Sequence, residues 1–110
     1  MTMIFELRTY TAMPGRLPDL NRRFRDHTTK IWARMGWNMV GFWTYKFGGR
    51  SDQLVYMLAW PDMATRDQQF AAFQSDPEWL ASREASEQNG PLVARISSEI
   101  LSPTDYSALR

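Results

Sequence analysis

The side chains that could do chemistry are few. Histidine is the natural proton carrier near neutral pH, and this sequence has one, His27. It falls near an apolar helical stripe, where it is expected to act either as a proton carrier facing a pocket or as a boundary residue, capping a core hydrogen bond or simply exposed. Tyr10 and Tyr56 could orient a polar ligand atom, and Arg8 or Arg95 could stabilise negative charge on it. Trp43 and Trp60, with the two tyrosines, could wall a pocket for a flat apolar molecule; the same rings could equally be plain core. Glu6, Arg8, Arg95 and Glu99 form a second set. Enclosed, such charges must pair, and paired they can fix the register of a dimer interface; a ligand carboxylate on either arginine is the other reading. The chemistry these types allow is proton transfer and anion stabilisation on a small, largely apolar ligand. No cofactor is expected.

Composition narrows the field. There is no cysteine, so no disulfide, thiolate nucleophile or cysteine-based metal site. A single histidine excludes a multi-histidine metal centre within one chain, although His27 could serve as a lone axial haem ligand. The formal net charge of +1 gives no electrostatic case for nucleic acid or a membrane surface. No apolar run approaches the roughly 20 residues that span a bilayer, and the N-terminus has no signal- or transit-peptide pattern. A cytoplasmic location is the expectation. GxGxxG, Walker A, GxSxG and HExxH patterns do not occur. The third strand, QLVYMLAW, lacks the glycines and positive charge of an RNA-recognition module.

The elements that must position these residues can be read from periodicity. Residues 3–12 alternate as a strand and end at Pro14-Gly15. Leu17, Leu20, Phe24, Ile31 and Met35 make a helical stripe with a gap at His27 and Thr28, closed by Gly36. Residues 37–47 and 53–60 predict two strands joined by a glycine-containing hairpin loop. Asp62 predicts a helix cap, and Asp76-Pro77 predicts the start of a second helix ending at Asn89-Gly90-Pro91. Residues 92–101 predict a last strand. One domain is expected over residues 1–103, followed by a C-terminal tail over 104–110. The order βαββαβ predicts an α+β, ferredoxin-like fold with a four-stranded antiparallel sheet and its helices on one face.

That plan leaves one sheet face bare. Phe5, Leu7 and Thr9 are expected toward the helices, with Glu6, Arg8 and Tyr10 outward beside Arg95 and Glu99 in a charged cross-strand ladder. A bare face that is half aromatic and half ionic is expected to pair with a second copy.

The segments ELRTYT with MPGRL, MGWNMVGFWTYKFG, QLVYMLAWPDMATRDQQFAAF, DPEW and NGPLVARISSEILSPT together resemble the NIPSNAP family over essentially the whole length. The resemblance implies a homodimer in which two ferredoxin-like sheets close on each other as a dimeric α/β barrel. The wider group of such barrels includes cofactor-independent monooxygenases, isomerases, a haem branch and stress proteins, and the shared fold transfers no one of these activities. Binding of a small ligand, with a cofactor-independent oxidation or isomerisation of it, is one expectation, and a non-catalytic protein-interaction module is the alternative.

Overall fold

The computed structural model describes residues 2–110. Strand β1 spans Ile4–Ala12. A continuous helical rod follows, made of α1 (Leu17–Arg23), a π-helical turn (Phe24–Thr28) and α2 (Thr29–Arg34). Gly36, at φ 81°, supplies the left-handed residue that turns the chain out of the rod. Strands β2 (Asn38–Thr44) and β3 (Gln53–Trp60) come next, then helices α3 (Met63–Gln74) and α4 (Pro77–Ser86), and finally β4 (Val93–Leu101). Asp62 caps α3 by accepting from Thr65 N–H at 2.7 Å, and Asp76 caps α4 by accepting from Trp79 N–H at 3.1 Å. Both caps were legible as Asp before a helical run.

The sheet is open, antiparallel throughout, and ordered β2-β3-β1-β4. β1 and β3 are central, as the βαββαβ plan requires. All helices lie on one face. Between them and the sheet sits an aromatic core, with Trp32 stacked on Trp37 at 4.6 Å, Phe24 5.3 Å from Tyr56 and Phe73 stacked on Trp79 at 4.7 Å.

The facing of β1 is the reverse of the expected one. In the β1–β3 register Glu6 opposes Leu58, Arg8 opposes Tyr56 and Tyr10 opposes Leu54. Leu54, Tyr56 and Leu58 are core residues, so Glu6, Arg8 and Tyr10 point with them toward the helices, and all three are buried. Phe5, Leu7 and Thr9 lie on the open face opposite Ala59, Met57 and Val55. Glu6 and Arg8 therefore do not face a partner sheet, and the charged ladder does not form: Arg95 opposes Thr11, and Glu99 opposes Leu7. The physical reason is partner supply. An alternating strand normally turns its charges to water, but here residues 48 to 92 positions away satisfy them inside.

The helical rod departs from its expected regularity in one place. The carbonyl of Phe24 accepts both the backbone N–H and the hydroxyl of Thr29, the latter at 2.8 Å. This i→i+5 closure admits one extra residue into the turn. The inward set becomes Phe24, Thr28, Ile31 and Trp32, all buried, and His27 is turned out to solvent.

Candidate functional site

β1 delivers three polar side chains to the interior at alternate positions. Arg8 is the middle one. Its Nε donates to the Tyr56 hydroxyl at 2.7 Å, Nη1 to Glu6 Oε2 at 3.0 Å, and Nη2 to the Tyr10 hydroxyl at 3.3 Å. Tyr56 in turn donates to the Tyr10 hydroxyl at 3.1 Å. The phenols of two neighbouring strands thus hold one guanidinium from one side, and Glu6 holds it from the other.

Glu6 is completely enclosed yet fully partnered. Oε1 accepts from Trp60 Nε1 at 3.0 Å and Arg66 Nε at 3.1 Å; Oε2 accepts from Arg8, from Arg66 Nη2 at 2.8 Å and from the Ser98 hydroxyl at 2.6 Å. Only two residues separate the end of β3 from the start of α3, so the end of the first turn of α3 places Arg66 back over Glu6. Phe70, one turn further, sits against both guanidiniums, 4.7 Å from Arg8 and 4.5 Å from Arg66.

The protonation states follow from these contacts. Burial pushes the Glu6 carboxyl up, but the hydrogen bonds from Arg66, Ser98 and Arg8 outweigh it and bring its pKa down to about 2. Burial works against the charge on Arg8 as well, and Tyr56, Tyr10 and Glu6 more than restore it. Burial, with the adjacent Tyr10, holds the Tyr56 phenol well above its ordinary value of 10. At neutral pH the cluster is therefore a carboxylate, two guanidiniums and a protonated Tyr56. It can stabilise negative charge. Neither Glu6 nor Tyr56 is available to take a proton.

Beside the cluster opens a cleft of about 450 Å³ between the helices and the β1–β4 half of the sheet. Arg8 and Tyr10 reach it; Tyr56 stands behind them with no exposed surface. Its walls are aromatic, including Phe24, Trp32, Phe70, Phe73 and Trp79. The Asp76 cap and Pro77 start α4 so that Trp79 closes one wall, and Arg34 pins that start by donating to Asp76 at 2.8 and 2.9 Å. Leu80, by contrast, is exposed and does not help Trp79 seal the helix. Arg23 lies 5.1 Å from the Trp79 ring centroid and pairs with Glu87 at 3.2 Å.

The other expected site residues are dispersed. His27 is exposed and lines a separate groove of about 320 Å³ between the helical rod and α4, apart from Arg8 and both tyrosines. Trp60 belongs to the cluster through Glu6 but does not reach the cleft. Trp43 is half exposed on the open face, opposite Val55. Arg95 stands at the cleft rim next to the bulge in β4, while its register opposite Thr11 gives it to the open face. No group of three or more metal-ligating side chains occurs among the described residues, and no helix among them is long and apolar enough to cross a membrane.

Sequence reasoning missed Arg66, Thr28 and the wall residues Phe24, Trp32 and Phe73. Arg66 carried a faint signal: it lies four residues before Phe70 on a helix that starts immediately after Trp60, which places both over one end of β1.

An open ferredoxin-like sheet, helices on one face and an aromatic cleft floored by a buried arginine define the class: an α+β domain with a pocket of small-molecule size. The model of the NIPSNAP family matches residues 5–108, and the chain belongs to the NIPSNAP family. The mouse protein NipSnap homolog 3B is 28% identical over 75 residues, which is 68% of this chain and 30% of that protein; the chain thus aligns with less than a third of that relative. A NIPSNAP family protein from Agrobacterium tumefaciens superposes with a TM-score of 0.86 at 26% identity, over 99% of this chain and 92% of that one. A candidate antibiotic biosynthesis monooxygenase from Bacteroides thetaiotaomicron shares the fold, with a TM-score of 0.62 at 14% identity over 99% and 95% of the two chains.

Proposed function

We propose that this NIPSNAP-family chain is a homodimer that binds a small, mostly apolar ligand in the cleft beneath its helices. One observation carries the reading: a 450 Å³ aromatic cleft has a buried arginine, held by three hydrogen bonds, and a tyrosine hydroxyl at its floor. Ordinary ligand sites have this make-up, apolar walls with a few fixed polar groups. Arg8 and Tyr10 touch the ligand, and Tyr56 and Glu6 position Arg8. The cleft favours a ligand-binding protein over a non-catalytic interaction module, which needs no such cavity.

A cofactor-independent oxidation, with dioxygen as the oxidant, or an isomerisation is the reaction class that suits the cluster. Both pass through an anionic form of the substrate, and preorganised donors in a dry site stabilise such an anion. The cluster supplies the donors and no proton acceptor, so a substrate that is already ionised fits it best.

The homodimer rests on the open face. Leu7, Val55 and Met57 lie together there, with Trp43 half exposed beside them. Apolar surface of this kind on a central sheet is rarely left to water.

Native mass spectrometry of freshly purified protein tests both parts. The expected spectrum shows a mass of twice 12.9 kDa and a co-purified small molecule that is absent from an Arg8→Met preparation. A species at 12.9 kDa alone removes the dimer. A ligand retained in full by Arg8→Met removes the cleft.

A further inference from the structure

The polar atoms around the cleft are unevenly matched. Thr28 and Trp32 both line it and are almost wholly buried, at 2% and 1% exposure, yet Thr28 Oγ1 and Trp32 Nε1 have no hydrogen-bond partner. They sit one turn apart on the rod, just where the π-helical turn swings Thr28 inward. Arg23 Nε, in the neighbouring wall, is also without a partner. A buried polar group left unsatisfied is costly and rare, so these atoms need an explanation.

Their chemistry is one-sided. An indole N–H and a guanidinium N–H only donate, and a hydroxyl can donate. Arg8 spends three of its five N–H groups on Tyr56, Glu6 and Tyr10, so two remain. The charges lean the same way. Arg8, Arg23, Arg83 and Arg95 line the cleft, and Glu87 is the one carboxylate among the lining residues. Glu87 is already shared, 3.2 Å from Arg23 and 3.7 Å from Arg83. A neutral ligand would leave this surplus of donors and positive charge uncompensated, and an amine would oppose it.

We propose that the cleft ligand is an organic acid: a carboxylate on a flat apolar body, with its oxygens taken by Thr28, Trp32 and Arg8 and its body packed among Phe24, Phe73 and Trp79. The proposal rests on the small-ligand reading above and adds the charge and the donors. A bare inorganic anion would leave the aromatic walls unpaired, and a large polyanion exceeds a 450 Å³ cleft.

The test uses two probes of one shape, 1-naphthoate and 1-naphthamide, titrated into the 110-residue chain. Affinity is read by calorimetry, and the site by the side-chain N–H resonances of the tryptophans, with Trp32 assigned from Trp32→Phe. Naphthoate is expected to bind about tenfold or more tighter than the amide, as charge-assisted bonds are roughly twice as strong as neutral ones, and to shift the Trp32 resonance. Thr28→Val keeps the shape and removes the hydroxyl. Arg83→Gln changes an exposed side chain and leaves the core untouched. Each is expected to weaken naphthoate about three- to tenfold, with thermal unfolding of the free protein unchanged or raised and little effect on the amide. Equal affinity for the two probes in the cleft overturns the organic-acid proposal and leaves the small-ligand reading standing. Loss of both probes, with the Trp32 resonance unmoved, overturns both.

Discussion

Arg8 and Tyr56 stand directly opposite each other on the two central strands, and Arg8 Nε donates to the Tyr56 hydroxyl at 2.7 Å inside the core. The contact fixes the guanidinium at the cleft floor, because Tyr56 itself has no exposed surface and cannot move aside. Tyr56→Phe keeps the ring and removes the acceptor. A buried, charged donor then loses a partner, which costs about 1–3 kcal/mol. For a chain of this size that lowers the melting temperature by about 4–8 °C per kcal/mol. In an absorbance titration the wild-type protein should show a tyrosine increment above pH 10 that Tyr56→Phe lacks. A variant as stable as wild type with the same titration would falsify the arrangement.

Acid should unfold this protein through Glu6. Its carboxyl has a pKa of about 2 when folded against an ordinary 4.5. Below about pH 4.5 the unfolded chain takes up the proton and the folded chain does not, so stability is complete above that value and is lost as pH falls toward 2. The loss is about 3 kcal/mol. Denaturant unfolding at stepped pH measures it. In Glu6→Gln, Arg8 and Arg66 lose their counter-charge, which costs about 3–5 kcal/mol at neutral pH, and the slope between pH 4.5 and 2 should flatten. A wild-type curve that is flat over that range contradicts the assignment.

Much of the fold was legible and much of the site was not. Strand and helix types, both aspartate caps and the central position of β1 follow from local patterns: alternation, a 3.6-residue stripe, and Asp before a helical run. The facing of β1 did not follow. Alternation in FELRTY gives the two faces but not which one is buried, and the deciding partners, Tyr56, Trp60, Arg66 and Ser98, are distant in sequence. β3 held the better clue. Its Leu54, Tyr56, Leu58 and Trp60 set is the larger and more apolar one, and antiparallel pairing ties Arg8 to that side. The π-helical turn had no signature beyond two adjacent threonines, so the gap in the stripe at His27 and Thr28 did not show that Thr28 is the one turned inward.

The open sheet face can be tested apart from the cleft. Leu7 and Met57 are register partners on it and only half-buried. Leu7→Glu or Met57→Glu puts a charge at the centre of the proposed dimer interface without touching the helix side. Light scattering at micromolar protein should shift from twice 12.9 kDa to 12.9 kDa, with naphthoate affinity changed little. An unchanged mass in both variants places the contact elsewhere. Retained dimer with lost affinity would mean the two faces are coupled, contrary to their separation by the sheet.

His27 gives the last prediction, because it separates residue type from position. By type it is the best proton carrier in the chain. By position it lies on the outer side of the π-helical turn, in a groove with Asp26 and Ser86, while its neighbour Thr28 faces the cleft. If position governs, His27→Ala should bind naphthoate within about twofold of wild type, since surface changes away from a site rarely move free energies by more than about 0.5 kcal/mol. Thr28→Val, one residue away, should lose several-fold. The comparison holds the helix, the segment and the buffer constant and changes only the side of the rod that is altered. If instead His27→Ala weakens binding and Thr28→Val does not, the extra residue of the π-turn is absent in solution and the inward set reverts to that of a regular α-helix. Scalar coupling across the hydrogen bond would then join Thr29 N–H to the Arg25 carbonyl in place of the Phe24 carbonyl.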